Sequence, residues 1–339
     1  MVIFMVLITY TSSLMINNLA AMVVIVPITL NLCDRLKLNP IPLLILEIIA
    51  SNLGGASTMV GDFPNMIITS AGDLSFTDFI SGMMVPCLMM LAIMLLFLAW
   101  KQSREGIFLE RAAHQEGQAA SKIFSKTPEI DPYLAALGQN ALWWSLIGFF
   151  AADFTEIRPA AIALLVGFLL LFLGRFSFEQ FVQGSGIRDI LYFLGLFVMI
   201  GGLNATGMMD GIANSILIFS ADSQAVGLLL LLWLAWALTP FFNAGPATAF
   251  FIPIASDMAQ SIPGEAVWWA LSLGVLAGSS AALTGATSGP VVASFVQRFS
   301  PKVKGEARYQ LDFMSYLGWG LPISLLFVCL SSLYILLIA

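Results

Sequence analysis

Eight apolar stretches, near residues 1–32, 79–100, 133–152, 159–174, 187–206, 223–258, 265–282 and 313–338, fill most of this chain and confine its charges to the gaps between them. Most of them reach the roughly 20 apolar residues that carry a helix across a bilayer. In hydrocarbon every backbone N–H and C=O must be satisfied within the chain, so the stretches read as helices. Charged residues are 10% of the 339, against about 25% in soluble domains. The chain reads as an all-α polytopic membrane protein, multi-pass in a bacterial or archaeal inner membrane. Met1–Leu32 has neither a basic start nor a small-residue cleavage site, so it reads as membrane helix and not as a signal peptide.

The basic residues orient the chain. Arg35 and Lys37 form one cluster, the segment 101–131 holds five more, and Arg298, Lys302, Lys304 and Arg308 form a third. With Arg175 and Arg188, every Lys and Arg except Arg158 faces one side, which the positive-inside rule makes cytoplasmic. The connections Gly72–Asp78 and Asp257–Glu265 carry acids and no bases, so they face outward. Segment 101–131 reads as a cytoplasmic linker loop between a first repeat, 1–100, and a second, 132–339.

Two glycine- and hydroxyl-rich segments interrupt the apolar pattern, Asn52–Asn65 and Gly278–Pro290. Each follows a helix that carries Asn and, ten residues on, Pro: Asn17 with Pro27, and Asn243 with Pro253. Non-helical backbone at membrane depth is tolerated where it is buried in protein or lines a cavity. Paired interruptions in two halves point to a transporter's binding site. The first unit ends inside at Lys101 and the second outside at Ala339, so the pattern predicts inverted-topology repeats. It places broken helices at Asn17 and Asn243 and re-entrant hairpins at 40–65 and at about 265–290. Nothing before Asn17 matches the residues that precede 223, so the N-terminal repeat reads as truncated.

The site candidates follow from these interruptions. Gly54 and Gly55 are expected to let the chain reverse. Ser57 and Thr58 then offer hydroxyls and backbone N–H groups at a helix start, which suits an anion. The carbonyls ending the preceding helix suit Na⁺. Asp62 is an acid at membrane depth, a functional hypothesis by default, and can also cap the helix begun at Pro64. Glu47 is a second acid able to serve ion coupling. Asn17, Asn18 and Asn243 are amides able to donate or accept toward a ligand. Thr284, Thr287 and Ser288 repeat the hydroxyls in the second half. The competing reading is that the small residues only allow close helix packing.

At these residues the chain resembles the ion transporter superfamily, in particular the arsenite permease/NhaD-type antiporter-like and citrate transporter-like permeases. Their signature Asn-x-Gly-Gly-x-x-Thr-x-x-Gly-Asp-Pro-Pro-Asn is matched by Asn52, Gly54, Gly55, Thr58, Gly61, Asp62, Pro64 and Asn65, with Phe63 in place of the first Pro. Ala282, Thr284, Gly285, Ala286 and Thr287 follow the looser second-half pattern. The resemblance implies inverted repeats, a substrate held between two hairpin tips, alternating access, and by analogy a homodimer. Relatives often carry Asp-Asn at both breaks, where this chain has Asn17-Asn18 and Asn243-Ala244.

The expected function is therefore a permease for a small inorganic or organic anion or oxyacid, with Na⁺ or H⁺ as coupling ion and no other cofactor. The alternative is an NhaD-like Na⁺/H⁺ antiporter. A nucleic-acid partner has no basic stripe to support it. One histidine, His114 in a charged loop, supplies no metal site and no zinc protease. Met59-Val-Gly-Asp62 lacks the first glycine of an intramembrane aspartyl protease motif. The three cysteines, Cys33, Cys87 and Cys329, read as buried free thiols.

Overall fold

The computed structural model describes residues 1–36, 38–105, 131–152, 154–155, 157–177, 179, 187–220, 223–299, 302–303, 306–307 and 309–339. The linker expected at 101–131 therefore lies largely outside the described residues. Apart from a two-residue ladder of Lys302–Val303 with Glu306–Ala307, the regular structure is helical. The first unit contains α1 (Val2–Met15), α2 (Asn18–Leu36), α3 (Ile41–Ala56), α4 (Phe63–Gly72) and α5 (Phe76–Glu105). Then come α6 (Pro132–Ala152), α7 (Pro159–Gly174), α8 (Ile187–Ala205) and α9 (Met208–Phe219). The second unit contains α10 (Gln224–Phe242), α11 (Ala244–Ser261), α12 (Ala266–Ser279), α13 (Gly289–Phe299) and α14 (Phe313–Ile338). Among the described residues five helices are long and apolar enough to cross a membrane, α2, α5, α6, α10 and α14.

The two units pack alike. α1 lies on α3 as α10 lies on α12; α2 lies on α3 as α11 lies on α12; α3 lies on α5 as α12 lies on α14. Between units, α4 lies on α11 and α13 on α2, the exchange a twofold relation requires. α3 and α12 are almost wholly buried on every face, which marks them as the cores of their units. The α6–α7 pair is peripheral. Of α7 only Val166 is buried, while Leu164, Phe168 and Phe172 face outward, as lipid-facing residues do.

Residue contacts fix the directions. Gly72, at the end of α4, abuts the ring of Trp268 at the start of α12, and Ser272 Oγ bonds Asn65 Oδ1 at 3.4 Å, so α4 and α12 are antiparallel. α5 starts at the same end, with Phe79 and Gly82 against Trp269. α14 finishes there too: Tyr334 Oη donates to the Gly82 carbonyl at 2.8 Å. This end carries Asp73, Asp78 and Glu265, and burial together with Asp78 raises the pKa of Glu265. α2 runs antiparallel to α3, with Thr29 beside Glu47 and Asn18 beside Gly61. It ends at Arg35, away from the acidic end.

The inverted repeat is therefore present, but its parts exchange roles. α1 packs on α2 and α10 on α11, whereas α3 hardly touches α4 and α12 hardly touches α13. The hairpins expected at 40–65 and 265–290 are instead discontinuous helices that continue across their interruptions. The hairpins are α1–α2, with its tip at Ile16–Asn17, and α10–α11, with its tip at Asn243. Gly54 and Gly55 remain inside α3 and neither has positive φ, so the chain does not reverse at the glycine pair, and beyond the break α4 packs on the second unit. One smaller expectation also changes. Cys33 and Cys87 are buried but Cys329 is exposed. Trp268 and Trp269 are 6% and 5% exposed and packed on Gly72 and Gly82.

Candidate functional site

Each unit brings a hairpin tip against the interruption of its discontinuous helix. In the first, the Asn18 N–H donates to the Gly61 carbonyl at 2.9 Å and Thr58 Oγ1 donates to the Leu14 carbonyl at 3.0 Å. In the second, the Ala244 N–H donates to the Gly285 carbonyl at 3.1 Å and Thr284 Oγ1 donates to the Pro240 carbonyl at 2.7 Å. Leu14 and Pro240 stand at the same place, three residues before the tip asparagine. The two interruptions are thus built from one plan.

Close approach explains the glycines. A Cβ on Gly54 would overlap the Tyr10 carbonyl oxygen, and one on Gly61 would lie 2.7 Å from the Gly55 Cα. A Cβ on Gly278 would meet the Trp236 carbonyl oxygen at 2.7 Å, the counterpart of the Gly54 contact. These glycines let the helices and the turns of the break come together, which is the packing role the sequence left as the competing reading.

The side chains then close the structure. The Asn65 amide donates to the carbonyls of Gly55 (2.9 Å) and Thr58 (2.8 Å), tying α4 back to the end of α3. Asn243 does the same in the second unit, reaching the carbonyls of Thr284 (3.1 Å) and Ala286 (3.3 Å) from a residue at φ 71°. Ser57 Oγ donates to the Leu53 carbonyl at 2.7 Å and accepts from the Tyr10 hydroxyl at 2.9 Å. Asp62 caps α4, its Oδ1 accepting from the Phe63 N–H at 2.8 Å. Asn17 Oδ1 accepts from the Leu19 N–H at 2.9 Å, starting α2. Of the carbonyls ending α3, which were expected to suit Na⁺, those of Leu53, Gly54 and Gly55 each accept a bond from the chain's own donors.

Polar groups without partners among the described residues are the more informative ones. The Asn52 amide, 1% exposed, has no hydrogen bond among the described residues, and the Asn18 amide, 0% exposed, has none within 3.5 Å. Asn18 lies beside the Asp62 carboxyl. Thr287 Oγ1 and Ser288 Oγ in the second interruption are also buried and unpartnered. Such groups are costly unless something satisfies them. Four helices, α2, α4, α11 and α13, start at these tips and interruptions, and each start carries partial positive charge, while the leading N–H groups of α2, α4 and α11 are already taken by Gly61, Asn17, Asp62, Gly285 and Asn243. Chemically the arrangement suits an anion held by N–H and O–H donors.

Glu47 is the one candidate the structure sets apart, since it pairs with Thr29 along α3 and not with the interruption. Sequence reasoning missed Tyr10, Ser13, Trp236 and Ser324, which brace the interruptions: Ser13 Oγ donates to the Ser51 carbonyl and Ser324 Oγ to the Ala277 carbonyl, each at 2.7 Å. Carrying the Asn17–Asn243 correspondence back by two helical turns pairs Tyr10 with Trp236, and that signal was available.

Two inverted units, each with a hairpin tip against a broken helix, define a multi-pass membrane transporter. The family pattern described as citrate transporter matches residues 1–274, and the chain belongs to that family. It is 40% identical over 343 residues to magnetosome protein MamN of Magnetospirillum gryphiswaldense, covering 99% of this chain and 77% of that one. It is also 40% identical over 342 residues to the MamN protein of Paramagnetospirillum magneticum, covering 98% and 76%. A Mycobacterium tuberculosis protein named as an uncharacterised transporter is 26% identical over 339 residues, covering 98% and 76%. The family is one of transporters and not of enzymes.

Proposed function

We propose that this chain is a permease that carries a small anion or oxyacid by alternating access, with a carboxylate such as citrate as the first substrate to test. The observation that carries the reading is the set of buried polar side chains, Thr287 and Ser288 without partners and Asn18 beside Asp62, placed where α2, α4, α11 and α13 begin. Half-helix N-termini facing an anionic group are a recurrent transporter device. The citrate description of the family supports the carboxylate class. Asn17, Asn18, Thr58, Asn65 and Asp62 line the first half of the site, and Asn243, Thr284, Thr287 and Ser288 the second. Na⁺ or H⁺ serves as coupling ion.

Proteoliposomes loaded with unlabelled citrate test this. Labelled citrate outside should enter faster than into empty vesicles, saturably, and Asn18→Leu should lower that counterflow at least tenfold. The rival reading is a Na⁺/H⁺ antiporter. Na⁺-driven alkalinisation of the vesicle lumen in the absence of any added anion, with no counterflow of citrate, arsenite, phosphate or sulfate, would defeat the proposal.

A further inference from the structure

Glu47 lies about two and a half turns before the end of α3, wholly buried between α3 and α2. Thr29 Oγ1 donates to its Oε1 at 2.7 Å, while Oε2 has no partner among the described residues. Leu43, Leu44, Ile48 and Ile49 around it on α3 are all fully buried. Of the titratable groups on the helices packed against α3, Cys33 on α2 is the one coupled to Glu47. Tyr10 on α1 and Cys87 on α5 gather instead at Ser57, and Tyr334 on α14 bonds the Gly82 carbonyl. Tyr316 on α14 is buried without a partner, α12 carries no titratable group, and Asp34 and Arg35 stand at the end of α2. No described cation faces the carboxyl. A hard metal cation needs several oxygen ligands, and among the described side chains Thr29 is the one bonded to Glu47. A carboxylate here has one hydrogen bond and no counter-charge, a costly state at membrane depth; the neutral acid avoids that charge.

We propose that Glu47 is a proton-binding site, and that in its protonated form it holds the return arm of the first hairpin, through Thr29, against the discontinuous helix. Release breaks the Oε2–H bond and passes the proton to water at the basic face, where α2 ends. The carboxylate left behind requires hydration, so α2 must part from α3. The tip of that arm is joined to the interruption through the Asn18 N–H and the Gly61 carbonyl, so proton release at Glu47 reaches the anion site. The consequence for transport rests on the permease reading, while the proton site stands on its own geometry.

Infrared spectroscopy of the protein in liposomes, titrated from acid to alkaline pH, tests the site directly. The expected result is a neutral-carboxyl band that disappears on titration, is absent from Glu47→Gln, and moves to higher frequency in Thr29→Val, which removes the bond to the carbonyl oxygen. Identical spectra for wild type and Glu47→Gln at every pH would overturn it; if Glu47→Gln fails to fold, an unmoved band in Thr29→Val does so. Labelled citrate then tests the coupling. Glu47→Gln should keep counterflow at equal pH but lose a severalfold acceleration of uptake by an inward proton gradient, and keeping that acceleration contradicts the proposal. Absence of citrate counterflow in the wild type counts against the permease reading for citrate, and the infrared band still decides the proton site.

Discussion

Asn65 shows how one side chain can hold an interrupted helix together. Its amide group serves two carbonyls, Gly55 and Thr58, that would otherwise be buried without donors. Each unsatisfied buried carbonyl costs about 1–3 kcal/mol. Asn65→Leu should therefore destabilise the protein by roughly 2–6 kcal/mol, read as a fall in the thermal midpoint in detergent, while Asn65→Asp, which removes the donors and adds charge, should fare no better. A midpoint unchanged in Asn65→Leu would show that the amide does not bind the two halves of the break. The residue types at the site were legible in the sequence: Asn65, Asp62 and Thr58 stand in the signature, and the structure puts all three at the first interruption. Their tasks were less legible. Asp62 offered capping or ion binding equally, and the bond from Phe63 shows the capping role without excluding a ligand role for the other oxygen.

The element scale is where the sequence misled most. Glycine pairs in a membrane segment suggest a reversal, and a reversal suggests a hairpin. Here Gly54 is inside α3 and serves the approach of α1, its position under the Tyr10 carbonyl leaving no room for a Cβ. Backbone cannot move aside as a flexible side chain can, so Gly54→Ala should force α1 from α3 and cost about 1–3 kcal/mol, the range for overpacking a well-filled contact. Gly201→Ala, at a position with open space around it, is the control and should be neutral or slightly stabilising. Thermal midpoints of the two variants compare them directly. Equal midpoints would remove the packing explanation for the signature glycines. Nothing in local propensity tells whether a chain emerging from a break folds back or continues. That is decided by long-range packing, here of α4 on α11 and α12, which no periodicity within 52–65 reports.

At the scale of the whole molecule the twofold relation was legible, because the matched Asn and Pro spacings and the opposed charge of the connections are sequence properties. It fixes an inverted pair of units around two like interruptions, with basic connections at one end and acidic ones at the other. The distinctive claim is that α3–α4 and α12–α13 each cross as one discontinuous helix. Single cysteines at Asn39, Ser75, Gly264 and Gln310, in a background with Cys33, Cys87 and Cys329 replaced, test it by labelling with a membrane-impermeant maleimide in intact cells and in inverted vesicles. The account predicts that cysteines at 75 and 264 react from outside and those at 39 and 310 from inside. Reaction of positions 39 and 75 from the same side would make 40–72 a hairpin and contradict the account.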